Sequence, residues 1–264
     1  MTAEVIAISN HKGGVGKSVT AVNLAAGLAR GGWRTLLVDC DAQGCSTNVF
    51  ADEDDVEFDI YDVIKGGKPT PDTIRRTRID NLDLLPSTLE VAKLDQELVA
   101  MHRREDQLRR GLSPILEDYD AILLDLPPNL GQLVITALNA ADWIIVPVDV
   151  SIWGERGITM FLEWSAALRA AEVISAELLG VLVTKYEKNT LISRETVASL
   201  RSAGHPLFDT AIPKRVATEA MIKAKLVVGD PQADETIAQA YAAFTVEVMS
   251  RVHQSRLNRG KHRA

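Results

Sequence analysis

The sequence predicts an α/β protein with a mostly parallel, twisted sheet covered by helices on both faces. Three observations carry that expectation. Short apolar, β-rich runs alternate with longer stretches of helical periodicity through most of the chain. Several runs are apolar throughout, as strands buried on both faces require. One run leads into a Gly-rich turn and two others end in Asp, at the carboxyl ends of strands, where open sheets of this class bind ligands.

In chain order, strands are expected at residues 5–8, 35–39, 82–86, 121–125, 143–147, 178–184 and 208–212. Helices are expected at residues 16–30, 89–102, 105–116, 133–140, 154–170, 191–203, 216–224 and 234–253. Gly31-Gly32 stops the first helix, and Gly66-Gly67 with Pro69 and Pro71 marks a loop. No internal repeat and no long linker interrupts the pattern, so residues 1–254 read as one domain and residues 255–264 as a flexible basic tail. A chain of 264 residues with 46% apolar content is long enough to bury a full core.

The first strand runs into Lys12-Gly13-Gly14-Val15-Gly16-Lys17-Ser18, which opens a helix. Strand, Gly-rich turn and helix in that order form a phosphate-binding loop. Phosphate oxygens are met there by several backbone N–H groups, and glycines permit the turn without a side chain in the way. The helix N-terminus adds partial positive charge. Lys17 is placed to hold the β- and γ-phosphates, and the Ser18 hydroxyl to ligate Mg²⁺. The strict loop pattern has Gly where this chain has His11, and it has no equivalent of Lys12.

Leu36-Leu37-Val38-Asp39-Cys40-Asp41-Ala42-Gln43-Gly44 reads as a buried strand ending in acids, an amide and glycine. Ala121-Ile122-Leu123-Leu124-Asp125-Leu126-Pro127-Pro128 reads as a second, with one carboxylate at its carboxyl edge, as in a Walker B strand. The prolines prevent the strand from continuing and shape the loop beside the γ-phosphate.

Together these motifs resemble the ParA/MinD family of ATPases, a P-loop fold with a deviant Walker A loop. The similarity covers roughly residues 4–250 and extends to Ile145-Val146-Pro147 and to Ala211-Ile212-Pro213, placed by the resemblance near the nucleotide base. It implies an ATP- and Mg²⁺-dependent ATPase of slow basal turnover, with Gly13, Gly14, Val15, Gly16, Lys17, Ser18, Val19 and Pro213 at the nucleotide. It also implies that Asp39 and Asp125 support the magnesium shell beside Ser18, and that Asp41 orients or activates the attacking water. Lys12, the family's extra lysine, is implied to cross a two-fold interface to the partner's phosphates, so that ATP assembles a homodimer and hydrolysis releases it. The chain departs from the family in Ser18-Val19-Thr20, in place of the common Thr-Thr-Thr, and in His11, in place of Gln.

Net charge is −7, but it is unevenly placed. Asp52 to Asp62 is an acidic stretch, whereas Lys185 to Lys225 holds eight Lys or Arg against four Asp or Glu, and no acid follows Glu247. An acidic protein still binds a polyanion through a local basic face. Lys188, Lys214, Arg215, Lys223 and Lys225 are candidate contacts to non-specific DNA. The resemblance then implies a nucleoid-associated partition ATPase stimulated by a ParB-like centromere-binding partner. It leaves open whether the cargo is a plasmid, a chromosome or a protein assembly. A MinD-like membrane switch is the alternative, but Phe244, Val248 and Val252 have the spacing of a helix packed on the core, and the residues beyond are basic. No apolar run spans a bilayer and no signal-peptide pattern opens the chain, so a cytoplasmic location without stable membrane association is expected. With the first strand at residue 5, an amino-terminal operator-binding domain is not expected. Cys40 and Cys45 define no disulfide framework and read as reduced thiols. The four tryptophans read as packing residues, and Arg103, Arg104, Arg109 and Arg110 as a helix face interleaved with Glu105 and Asp106.

Overall fold

The computed structural model describes residues 2–52, 55–67, 69–151 and 154–262. Trp153 among the tryptophans, Glu53 and Asp54 of the acidic stretch, and Arg263 of the basic tail lie outside the described residues, as do the side chains of Arg259 and Lys261.

Eight strands form one sheet: β1 (Glu4–Ile8), β2 (Thr35–Asp39), β3 (Arg75–Arg76), β4 (Leu82–Leu85), β5 (Ala121–Asp125), β6 (Trp143–Asp149), β7 (Glu177–Tyr186) and β8 (Leu207–Pro213). Their order is β3-β4-β2-β5-β1-β6-β7-β8, and every pairing except β3 with β4 is parallel. The alternation of strand side chains divides the core in two. Val5, Ala7, Leu36, Val38, Ile122 and Leu124 pack on one face. Ile6, Ile8, Leu37, Ala121 and Leu123 pack on the other.

The second face is closed by α1 (Lys17–Arg30), α10 (Val216–Lys223) and α11 (Glu235–His262). On α11, Phe244, Val248 and Val252 are at most 1% exposed, and each such side chain contributes about 1.5–3 kcal/mol by leaving water. Its apolar stripe is therefore spent on the core, as the spacing predicts. The helix runs beyond the expected end at residue 253, and Arg256 from that extension pairs with Glu4 of β1. Among the described residues, no helix is long and apolar enough to cross a membrane.

The first face carries α3 (Ile60–Lys65), α5 (Leu94–Glu97), α6 (Gln107–Leu112), α7 (Gln132–Ala140), α8 (Gly154–Ala170) and α9 (Leu191–Ser202). Two expected helices differ here. The stretch 89–102 is a 3₁₀ turn at Leu89–Lys93, the single turn α5, and a second 3₁₀ turn at Leu98–Ala100. Its buried Val91, Leu94 and Leu98 are spaced three and four apart, which short 3₁₀ and α turns satisfy as well as one helix does. The stretch 105–116 contains only α6 as regular helix, followed by a 3₁₀ turn at Ser113–Ile115 whose Pro114 lacks the N–H that would continue it. Three of the four arginines of this region are engaged: Arg103 with Asp106, Arg104 with Glu105, and Arg109 with Asn139 and Ser175. The short elements α2 (Cys45–Phe50), α3, α4 (Thr70–Thr73) and β3 were not expected from the sequence pattern.

Candidate functional site

The loop between β1 and α1 is built by anchors at both ends. Asn10 donates its side-chain amide to the Pro147 carbonyl at 2.8 Å and accepts the Lys12 amide at 3.0 Å, so it ties the loop's start to β6. Thr184 of β7 donates to the Val15 carbonyl at 2.8 Å and holds the far side. Between them Gly14 (φ 74°) and Gly16 (φ 88°) adopt the left-handed conformation that side chains disfavour. Gly16 is the N-cap of α1 and makes no side-chain cap, which leaves the first-turn N–H groups facing the loop. Gly13, Val15 and Ser18 complete this turn, and Val19 packs partly against the second core.

Lys17 is 7% exposed and donates to the Lys12 carbonyl at 3.2 Å. Burial pulls its pKa down, and the nearby Asp125 and Asp41 pull it back up. Its charge thus sits over the loop with acids behind it.

Parallel register brings Asp39 of β2 directly beside Asp125 of β5, both fully buried. Desolvation, and for Asp39 next the neighbouring Asp125, push the carboxyls up to about 7 and about 6 respectively. The Ser46 and Ser18 hydroxyls, then Lys17, act on Asp125 in the opposite direction.

The two acids have different partners. Asp39 Oδ1 accepts the Asp41 amide at 3.1 Å, while Oδ2 accepts the Thr47 amide at 2.7 Å and the Thr47 hydroxyl at 2.9 Å. Its carboxylate holds the 40–47 turn in shape. Asp125 Oδ2 accepts the Ser46 hydroxyl at 2.7 Å, whereas Oδ1 is buried and has no hydrogen-bond partner among the described residues. An orphaned buried carboxylate oxygen costs free energy unless a cation or its water answers it. Among the described residues, no group of three or more His, Cys, Asp or Glu forms a metal cage. One carboxylate oxygen and one hydroxyl beside a phosphate loop fit Mg²⁺, which takes few protein ligands and completes its shell from phosphate and water. Ser18 and Asp125 would hold it, with Asp39 supporting them from behind.

Asp41 extends from the same turn. Its Oδ1 accepts the Gln43 amide at 3.0 Å and its carbonyl accepts the Ser87 hydroxyl at 2.8 Å, which fixes the backbone while the side chain lines the cavity.

That cavity, of about 550 Å³, runs from Gly14–Val19 to an apolar end formed by Ile212, Pro213, Ile222 and Tyr241. Cys45 also lines it, with a thiol that burial pushes up, while Cys40 is buried beneath. Lys12 points elsewhere. Its ammonium pairs with Asp149 (2.7 and 3.0 Å), takes the Ser151 hydroxyl at 2.9 Å as a third partner, and does not line the cavity. His11 faces α8, where its ring lies against Gly157, and burial followed by Lys17 and Lys12 holds it below the usual histidine range.

The basic residues predicted for DNA are dispersed. Lys214 and Arg215 stand at the cavity rim, paired with Glu187 and Asp234. Lys225 pairs with Asp52, and Lys188 and Lys223 are exposed. Sequence reasoning missed Asn10, Ser46, Thr47, Asp149 and Thr184. The hydroxyls Ser46 and Thr47, two and three residues past Gly44, were a readable signal.

Comparison with known proteins agrees with this geometry. Residues 3–176 match the model of an AAA domain family. The chain is 35% identical to the sporulation initiation inhibitor protein Soj of Bacillus subtilis over 249 residues, covering 93% of this chain and 98% of that protein. It is 36% identical to the chromosome-partitioning ATPase Soj of Thermus thermophilus over 251 residues, 95% of this chain and 97% of that one. The fold is similar, with a TM-score of 0.81 and 29% identity, to a crystal structure of cobyrinic acid a,c-diamide synthase from Mycobacterium smegmatis with bound ADP and magnesium, covering 92% of this chain and 93% of that one. The chain belongs to the ParA/Soj-type P-loop ATPases of the ParA/MinD superfamily.

Proposed function

We propose that this protein is a partition ATPase: it binds ATP and Mg²⁺, pairs with a second copy through the nucleotide, and in that state holds non-specific DNA. The observation that carries the reading is the division of labour between the two loop lysines. Lys17 is buried at the chain's own cavity, whereas Lys12 is held at the loop's edge by Asp149 and Ser151. A cation that its own nucleotide does not need is available to a neighbour's.

In this reading Lys12 transfers from Asp149 to the phosphates of the facing subunit, and two nucleotides are shared across a two-fold axis. The loop N–H groups and Lys17 bind the β- and γ-phosphates, and Pro213 borders the base. Mg²⁺, when bound by Ser18 and Asp125, neutralises phosphate charge. Asp41 orients the water that attacks the γ-phosphate, giving ADP and phosphate. Loss of the γ-phosphate removes contacts that only the triphosphate makes, so the pair separates and hydrolysis acts as a timer.

Dimerisation brings two copies of the 185–225 basic region together, with Lys188, Lys214, Arg215, Lys223 and Lys225 as phosphate contacts. The protein is then nucleoid-associated while ATP-bound, and a ParB-like partner stimulates hydrolysis and is carried. The relatives named for chromosome partitioning support this assignment. The apolar stripe of α11 is buried in the core, which favours DNA over a membrane surface.

The test is binding to random-sequence duplex DNA with ATP or ADP, set against sedimentation with anionic liposomes. ATP-dependent DNA binding that falls steeply with salt is the expected result. ATP-dependent liposome binding without DNA binding would favour a membrane switch instead.

A further inference from the structure

The loop that follows Asp125 is gripped from outside the nucleotide site by one carboxylate. We infer that Asp95, on α5, is a positioning residue for ATP hydrolysis, acting by fixing the 127–131 loop against the cavity. The inference rests on the hydrolytic reading above and assigns that site a further part.

Asp95 Oδ1 accepts the Leu133 amide of α7 at 2.8 Å, and Oδ2 accepts the Asn129 side-chain amide at 3.2 Å. Asn129 in turn accepts the Gly131 amide at 3.0 Å through its own Oδ1. The N-cap residue of α7 is Gly131, which has no side chain to cap with. Asp95 therefore supplies from another element the acceptor that an N-cap side chain would supply, with a charge that suits the helix N-terminus.

Gly131 shows how closely the carboxylate is fitted. Its backbone (φ −75°, ψ 179°) is open to any residue, so conformation does not demand glycine. A Cβ built there would lie 2.5 Å from both Asp95 oxygens. The missing Cβ makes room for Asp95.

At its other end the loop is fixed in the sheet, where the Leu126 amide donates to the Ile8 carbonyl at 3.3 Å. Pro128, between the two anchors, lines the nucleotide cavity. Asp95 itself does not, so its effect on the reaction passes through the loop. Proline backbone at a γ-phosphate is useful only if its position is held, because small displacements cost large factors in rate.

The test measures single-turnover hydrolysis at saturating ATP, and Kd for a fluorescent ATP analogue, for the full chain and for Asp95→Ala, Asp95→Asn, Gly131→Ala and the Asp95→Ala/Gly131→Ala double variant. Asp95→Ala and Gly131→Ala are each expected to slow the chemical step about tenfold while Kd stays within about twofold. Asp95→Asn keeps an acceptor for the Leu133 amide and is expected to recover part of the rate. The double variant should be no slower than Asp95→Ala, since both changes break one contact. A helix cap without a part in the reaction would lower Tm and leave the rate at 25 °C untouched, and that result in Asp95→Ala would overturn the inference. Equal losses in rate and affinity, or additive effects in the double variant, would overturn it too. No turnover in the unaltered protein would instead remove the hydrolytic reading on which the role depends.

Discussion

The two ends of the central strands treat buried acids in opposite ways. At the amino end Glu4 is 9% exposed, and its two oxygens are taken by the Trp143 indole N–H and the Arg256 guanidinium. Asp142 nearby accepts the Val5 amide at 2.9 Å. At the carboxyl end Asp39 and Asp125 sit side by side, fully buried, and one oxygen of Asp125 has no hydrogen-bond partner among the described residues. The same sheet thus ends in paired charges that tie elements together on one side, and in crowded acids beside the Gly-rich loop on the other. Groups pushed far from their ordinary pKa by burial and by like charge mark functional sites for this reason.

Substitutions at the two ends should accordingly separate stability from chemistry. The largest effect is expected for Lys17→Ala, which removes the buried cation of the loop: ATP turnover should fall on the order of 100-fold or more, read by phosphate release. Glu4→Ala removes the carboxylate that the Trp143 N–H and Arg256 share and should cost about 2 kcal/mol of stability, read by denaturant unfolding, with Kd for ATP unchanged. A change in Kd there would blur the contrast between the ends. Asp125→Asn keeps an acceptor for Ser46 and removes the crowded charge. It should raise the stability of the nucleotide-free protein at pH 8 by about 1–2 kcal/mol while abolishing hydrolysis.

A smaller effect follows from pH. Unfolded, both acids titrate near 3.8, while folded they stand at about 7 for Asp39 and about 6 for Asp125. The folded state holds the extra protons between these limits, so their contribution is fully present below 3.8 and is lost as pH rises through 6 to 7. The nucleotide-free protein should therefore show Tm falling over that window, and Asp125→Asn should flatten the fall.

What the sequence made legible follows the same division. Apolar strands ending in a Gly-rich turn or in Asp announce both the sheet and its ligand-binding edge, because burial on both faces leaves long uninterrupted runs. That Lys17, Ser18 and Asp41 would gather at one cavity, with Asp125 close by, was readable from motif and strand context. Asp39 was readable as a site residue, but its use in holding Thr47 and the Asp41 amide was not, since that depends on how the chain turns after the strand. Asn10, Thr184 and Asp95 were hidden because each acts across the fold on a segment distant in sequence. The 89–102 stretch shows the limit of periodicity: its spacing of apolar residues serves 3₁₀ and α turns alike.

In the proposed cycle Lys12 serves a neighbour. Sedimentation of Asp41→Ala, which blocks hydrolysis, against Asp41→Ala/Lys12→Ala, with ATP and Mg²⁺, tests it most directly. A dimer is expected for the first and a monomer that still binds nucleotide for the second. An intact ATP dimer without the Lys12 side chain would contradict it.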